Sequence, residues 1–212
     1  MKQENIHVLQ TTLAELGLCY DEVAVEKLVK YHDLLMQQNA IHNLTGHKDE
    51  DTSVRLNLLN SLAATTALKS KEYPEIADIG TGAGLPGIPW SIVMPDTRFV
   101  LIDSKPKKVN FLIEVAKTLE LKNVTAIQAN VLELKRKFET IVFQAFGKLS
   151  KIMQVLDACM NNQGQAYLFA SDLSKIKPEL DSYKKYKTDT QSFTASELAE
   201  YKRFLIRIKK SD

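Results

Sequence analysis

The stretch Ile76-Ala-Asp-Ile-Gly-Thr-Gly-Ala-Gly-Leu-Pro-Gly87 decides how the rest of the chain is read. An apolar run ends at Ile79, and Gly80, Gly82, Gly84 and Gly87 follow at spacings that let a backbone turn sharply and approach a ligand closely. Gly82-x-Gly84-x-x-Gly87 matches the dinucleotide-binding fingerprint, a weak signal without its surroundings. Those surroundings supply a second apolar run, Phe99–Asp103, which closes on an acid 21 residues after Gly82. A carboxylate placed there accepts both hydroxyls of a ribose, so an adenosine-containing cofactor is implied. Ordinary turns and a helix N-cap explain the glycines and Asp103 one at a time. A strand, a glycine loop, a helix and an acid-terminated strand in that order favour the cofactor.

Asp78 bears on which cofactor this is. A carboxylate in the strand before the loop repels a pyrophosphate but complements the ammonium or sulfonium-side charge of S-adenosylmethionine, directly or through water. Pro86 removes a backbone N–H near the helix start, a donor that phosphate binding uses. No Gly-Lys-Ser/Thr is present, so a P-loop is unsupported. S-adenosylmethionine leads, and a nicotinamide-dependent oxidoreductase stays open on the glycine spacing and Asp103 alone.

Outward from this segment, the runs Glu75–Ile79, Phe99–Asp103, Val124–Gln128, Thr140–Phe143 and Gln165–Phe169 read as strands. Val109, Leu112, Ile113, Ala116 and Leu119 mark one helical stripe between them, and Leu149, Ile152, Met153 and Leu156 another. This alternation predicts an α/β fold with a mostly parallel sheet, helices on both faces and ligands beyond the strands' C-terminal ends. Tyr183–Thr190 and Arg203–Lys209 read as a terminal hairpin-like pair. Residues 1–70 instead carry helical periodicity: Ile6, Leu9, Leu13 and Leu16, then Val25, Leu28, Leu35 and Met36, then Val54, Leu58, Leu62 and Thr65. Asp21 and either Asp49 or Asp51 are the expected N-caps. Gln38–Gly46 reads as a polar loop. The expected organisation is a helical extension over 1–70 and a Rossmann-like domain over 71–212.

The 212 residues hold 28 Lys and Arg against 26 Asp and Glu, a net charge of +2 that is unevenly spread. Residues 175–212 carry 10 Lys/Arg against 6 Asp/Glu, a weak pointer to nucleic acid on its own. The 44% hydrophobic and 25% charged fractions argue against disorder, and no stretch reaches membrane-span length. With no signal-peptide pattern at the N-terminus, a cytoplasmic protein without a membrane contact is expected. Cys19 and Cys159 read as buried small residues, and His32, His42 and His47 offer no metal pattern. No metal is expected, and a monomer is.

Asp78-Ile-Gly-Thr-Gly-Ala-Gly-Leu-Pro-Gly-Ile-Pro89, with Leu101-Ile-Asp-Ser104 and Lys107-Lys-Val-x-Phe-Leu112, resembles the bacterial small-subunit (16S) ribosomal RNA guanine-N7 methyltransferases, historically named glucose-inhibited division protein B. Asn39, Asn43-Leu-Thr45 and the helical extension fit the same family. The resemblance implies a class I S-adenosylmethionine-dependent methyltransferase fold with a C-terminal antiparallel strand. It also implies transfer of a methyl group to N7 of a guanine in 16S ribosomal RNA of the small subunit. Gly80, Gly82 and Leu85 would surround the methionine and ribose of the cofactor, with Asp78 close by and Asp103 on the ribose hydroxyls. Asn130, Val131 and Leu132 would sit beside the adenine, where core packing is an even alternative for the last two.

The chain departs from the family's pattern on the substrate side. Gln144 stands where Arg is usual and takes that residue's place beside the cofactor, Phe169 and Ala170 replace a frequent Lys-Gly, and Asn57 and Asn60 replace His and Asp. A non-catalytic or substrate-altered homologue is the alternative these changes raise. Guanine N7 carries an in-plane lone pair and no proton, so the reaction asks for positioning rather than a general base, with Asn39, Asn43 and Gln144 as the candidate positioning residues.

Overall fold

A computed structural model describes residues 1–18, 21–68 and 73–211 of the chain. In chain order it contains α1 (Gln3–Glu15), α2 (Glu22–His42), α3 (Glu50–Ser53), α4 (Asn60–Ala63), β1 (Glu75–Ile79), α5 (Gly87–Val93), β2 (Arg98–Asp103), α6 (Pro106–Thr118) and β3 (Val124–Gln128). β4 (Phe138–Phe143), α7 (Leu149–Cys159), β5 (Met160–Ala170), α8 (Leu173–Ser182), β6 (Tyr186–Ser192) and β7 (Phe204–Lys210) follow. The seven strands form one sheet of order β3-β2-β1-β4-β5-β7-β6. β1 to β5 are parallel, and β7 is antiparallel to both β5 and β6. The order reverses between β1 and β4, the switch point at which open α/β sheets bind ligands beyond their strands' carboxyl ends.

Period-two alternation divides the core into two. Ala77 and Ile79 join Ile141, Phe143, Ile152 and Leu156 on one face, while Ile76 joins Phe99, Leu101, Leu112 and Trp90 on the other. The second face also takes Leu9 and Leu13 of α1 and Leu28 and Leu35 of α2, so one apolar cluster runs from the first helix to Leu205 in β7. Trp90 is fully buried there, and its indole N–H donates to Ser61 O at 2.6 Å. Its polar atom is thus satisfied while its ring contributes on the order of 3 kcal/mol of burial.

Several sequence expectations are corrected. α2 continues to His42, so Asn39 is helical and the polar loop is shorter than Gln38–Gly46; the helix stops at Asn43, whose φ of 48° ends it in the left-handed region. The third helical stretch is broken into α3, a π-helical turn at Val54–Leu59, α4 and a 3-10 turn at Ala64–Ala67. Its N-cap is Asp49, which accepts from Thr52 N at 2.8 Å, whereas Asp51 accepts from Asn5 and Lys2. In α6 the buried stripe is Val109, Phe111, Leu112 and Val115, and Ile113 points to solvent. β6 begins at Tyr186 rather than at 183, and an irregular segment with a 3-10 turn joins it to β7. Cys159 is buried as expected; Cys19 and the expected division at residue 70 lie outside the described residues.

Candidate functional site

The turn after β1 is an extension of the sheet made of backbone. Gly80 N and Thr81 N both donate to Ile102 O, at 2.8 and 3.2 Å, and Gly82 N donates to Asp103 Oδ2 at 3.1 Å. Gly80 has a φ of 71°, and a Cβ added to it would lie 2.2 Å from Cδ2 of Phe146, so no other residue type fits without displacing that ring. Gly87 is required for a different reason: a Cβ there would lie 2.3 Å from Leu101 Cδ2 and 2.7 Å from Asp78 Oδ2, where α5 crosses the sheet.

Beside this turn a cleft of about 230 Å³ opens at the carboxyl ends of β1, β2, β3 and β4. Gly80, Ile102, Asp103, Lys105, Lys108, Asn130, Val131, Phe146 and Lys151 are among its lining residues. Asp103 is 7% exposed and accepts one backbone N–H on each oxygen, Gly82 N on Oδ2 and Lys105 N at 2.9 Å on Oδ1, with Lys108 Nζ 3.6 Å away. Each carboxylate oxygen has a second lone pair, so a ribose diol can still be accepted. Ile102 and Val131 supply apolar surface at the same end, and the glycine turn leaves backbone rather than side chain facing the ligand. This acceptor, apolar and backbone set fits an adenosine-bearing cofactor.

Not every expected residue is at the cleft. Gly80, Asp103, Asn130 and Val131 line it; Gly82 borders it through its bond to Asp103. Asn130 itself is a cap, its Oδ1 accepting from Leu132 N at 3.3 Å. Leu132 turns outward at 41% exposure, and Leu85 is part of the apolar cluster beneath the loop. Asp78, expected to meet the cofactor's charge directly or through water, does not line the cleft and lies beneath it. Because successive strand residues face opposite ways, its side chain lies under the glycine turn, on the face opposite Ile79. Its Oδ2 accepts from Thr81 Oγ1 at 2.7 Å and Gly87 N at 2.9 Å, while Oδ1 is buried without a partner. Burial pushes its pKa up to about 7 against the pull of these two hydrogen bonds.

Asn39 and Asn43 are not brought to the cleft either. Asn39 is buried and clasps the following loop: Thr45 N donates to its Oδ1 at 2.7 Å and its Nδ2 donates to His47 O at 2.8 Å. Asn57 continues the network, donating to Ser53 Oγ at 3.1 Å, which is 3.1 Å from His32 Nε2. His32 is fully buried, and desolvation lowers its pKa. Asn60 accepts from Arg203 Nε at 3.1 Å, joining α4 to the start of β7. Asn43 is exposed on the loop so formed.

Two features of the site carry little sequence signal. Tyr31, buried in α2, donates its hydroxyl to Ala83 O at 3.0 Å and so pins the glycine turn from the helical layer; only its place in a helical stripe hints at this. The loop after β4 is strained, with a φ of 53° at Ala145 and 118° at Gly147, and it directs Phe146 into the cleft. Gln144, at the head of this loop, holds a buried Oε1 with no partner and does not line the cleft. Among the described residues no cluster of His, Cys, Asp or Glu suits a metal ion, and no helix is long and apolar enough to cross a membrane. The basic C-terminal segment is partly neutralised, Lys185 by Asp157 and Arg207 by Asp189.

The family described as rRNA small subunit methyltransferase G matches residues 24–203. Proteins named ribosomal RNA small subunit methyltransferase G from Lachnoclostridium phytofermentans and Chromohalobacter salexigens are 32% and 34% identical to this chain, covering 80% and 81% of it and 72% and 84% of their own lengths. The similar protein of Vibrio campbellii is 36% identical over 69% of either chain. Among crystal structures, a ribosomal protein L11 methylase from Lactobacillus delbrueckii subsp. bulgaricus superposes with a TM-score of 0.55 at 18% identity, over 77% of this chain and 80% of its own. A precorrin-6y C5,15-methyltransferase from Geobacter metallireducens gives 0.52 at 18% identity, over 72% and 87%. These two share the Rossmann-like fold.

Proposed function

This chain belongs to the rRNA small subunit methyltransferase G family, and from that premise we propose that it methylates N7 of a guanine in 16S ribosomal RNA. It is an S-adenosylmethionine-dependent methyltransferase of small-subunit ribosomal RNA, and membership of that family ends the case for a nicotinamide oxidoreductase. The observation that carries the N7 reading is the chemistry of the cleft. Asp103 is the only carboxylate lining it among the described residues, no histidine or cysteine does so, and both Asp103 oxygens are engaged by backbone N–H groups. A nucleophile that loses a proton would need an acceptor there. Guanine N7 has none to lose.

S-adenosylmethionine supplies the electrophilic sulfonium methyl. Asp103 accepts the ribose hydroxyls, Ile102 and Val131 flank the adenine, and the Gly80 backbone allows the methionine end to approach. Asp78 acts from beneath, holding Thr81 and Gly87 in the shape that makes the approach possible. Lys105, Lys108 and Lys151 offer cations to RNA phosphates at the rim. Catalysis is then positioning of N7 against the methyl carbon. The same proposal takes the protein as a cytoplasmic monomer with no membrane contact. It takes residues 1–70 as the helical layer that bears the Asn39 loop, and 71–212 as the cofactor-binding domain.

Methyl transfer from labelled S-adenosylmethionine to small subunits of a strain lacking this protein, followed by nucleoside mass spectrometry, tests the reading. Label in 7-methylguanosine is expected. Label in any other nucleoside, or cofactor binding without transfer, overturns it.

A further inference from the structure

Phe146 is the only aromatic residue lining the cleft among the described residues. Its ring presses against the Gly80 backbone on one side and meets Phe143 at 5.2 Å between centroids on another. The ammonium of Lys151 lies 5.0 Å from the ring centroid. Ala145 before Phe146 holds a φ of 53°, left-handed backbone that a Cβ disfavours, and Gly147 after it has a φ of 118° that glycine adopts freely; strain such as that at Ala145 gathers where a ligand is clamped. Trp90 and Tyr31, the nearby large aromatics, are buried and hold hydrogen bonds inside the core.

In the transfer step the N7 lone pair forms a bond to the methyl carbon as the carbon–sulfur bond breaks, and its electron pair stays on sulfur as a neutral thioether. The sulfonium charge thereby passes to the purine, which becomes a cation with no proton on N7 to release. Asp103 is held by two N–H groups and directed at the ribose, so it does not supply the counter-charge. The face of an aromatic ring does, because its quadrupole is negative there and attracts cations. In the free protein the cation held by the ring is Lys151.

We propose that Phe146 is the stacking surface for the reacting purine, and that Lys151 leaves the ring for the phosphate of that nucleotide as the base arrives. This rests on the guanine-N7 reading and adds to it a residue that binds the charged product base better than the neutral one. The geometry also accounts for a short, strained loop at this point of the sheet, since a ring free to swing would stack less well.

Binding of 7-methylguanosine monophosphate and of guanosine monophosphate to the full chain saturated with S-adenosylhomocysteine tests this without turnover. The wild-type protein is expected to prefer the methylated nucleotide by roughly five- to tenfold. Phe146→Leu removes the preference and Phe146→Tyr keeps it. In single-turnover methylation of small subunits, Phe146→Leu is roughly 10- to 100-fold slower and Phe146→Tyr within about threefold of wild type. Affinity for S-adenosylmethionine changes by less than about threefold in both. No preference in the wild type, a preference that survives Phe146→Leu, or a loss that falls on cofactor affinity instead would each overturn the proposal. A wild-type protein that prefers the methylated nucleotide yet transfers nothing to small subunits upholds the stacking surface and brings down the RNA target alone.

Discussion

Between β1 and β2 the molecule is shaped by backbone, whereas between α2 and the π-helical turn it is shaped by side chains. In the first region Gly80, Thr81 and Gly82 N–H groups bond to Ile102 and Asp103, and removing side chains is what makes the geometry possible. In the second, Asn39 holds Thr45 and His47, and Asn57 links the Thr45 hydroxyl to Ser53 and His32, so that adding side chains makes the geometry of the loop after α2 possible. The regions meet at α2, whose Tyr31 reaches the glycine turn while Asn39, on the same helix, reaches the loop. A backbone-built region serves a ligand shared by many enzymes; a side-chain-built one can diverge with its substrate.

The largest effect comes from Asp78, which is fully buried beneath the backbone-built region. Asp78 has a folded pKa of about 7 against a reference of 3.8, so between these values the folded chain holds more protons than the unfolded one. Its contribution to stability therefore falls as pH rises from about 4 to 7, by on the order of 4 kcal/mol in full. Asp78→Asn keeps the shape and cannot ionise. Its denaturation free energy relative to wild type is expected to rise steadily over that window, and parallel curves for the two proteins would show that the carboxylate is not held neutral.

Asp103→Ala sharpens the comparison from the ligand's side. It removes the ribose acceptor and leaves Gly82 N and Lys105 N unpaired, so calorimetry should find S-adenosylmethionine affinity reduced by about 100-fold or more. Affinity within a fewfold of wild type would place the ribose elsewhere. In the other region, Asn39→Ala strands Thr45 N and His47 O at a cost of about 2 kcal/mol. Methylation of small subunits should fall while the cofactor Kd stays within about twofold of wild type. If the Kd moves with it, the two regions are one unit and the contrast between them is broken.

The same contrast explains what could be read in advance. Gly80 to Gly87 and Asp103 are legible because a turn that excludes side chains leaves a spacing in the sequence, and β2 is legible because a buried parallel strand carries an apolar run, Phe99 to Ile102. Asn39 is legible as a candidate positioning residue but not as the clasp of a loop, and its helix runs on to His42 where a loop is expected, since its side chain closes the loop from inside the last turn. Asp78 is expected to act on the ligand directly or through water, and strand alternation turns it beneath the loop. Phe146 gave no periodic signal; its importance comes from Ala145 and Gly147 in conformations that depend on the surrounding fold. Ile113 belongs to an apparent stripe yet faces water, a one-residue error in helical phase that Phe111 repairs.

The position of β7 has a consequence for how the chain is made. It follows β6 in sequence but lies inside it in space, between β5 and β6, so β6 has no neighbour in the sheet until residues 204–210 have been synthesised. A nascent chain that has emerged as far as Ser192 carries β5 with one edge open and β6 with nowhere to dock. An open edge invites pairing with other chains. The interval between the emergence of residues 170 and 210 therefore leaves that edge open, and the insertion of a single strand closes it.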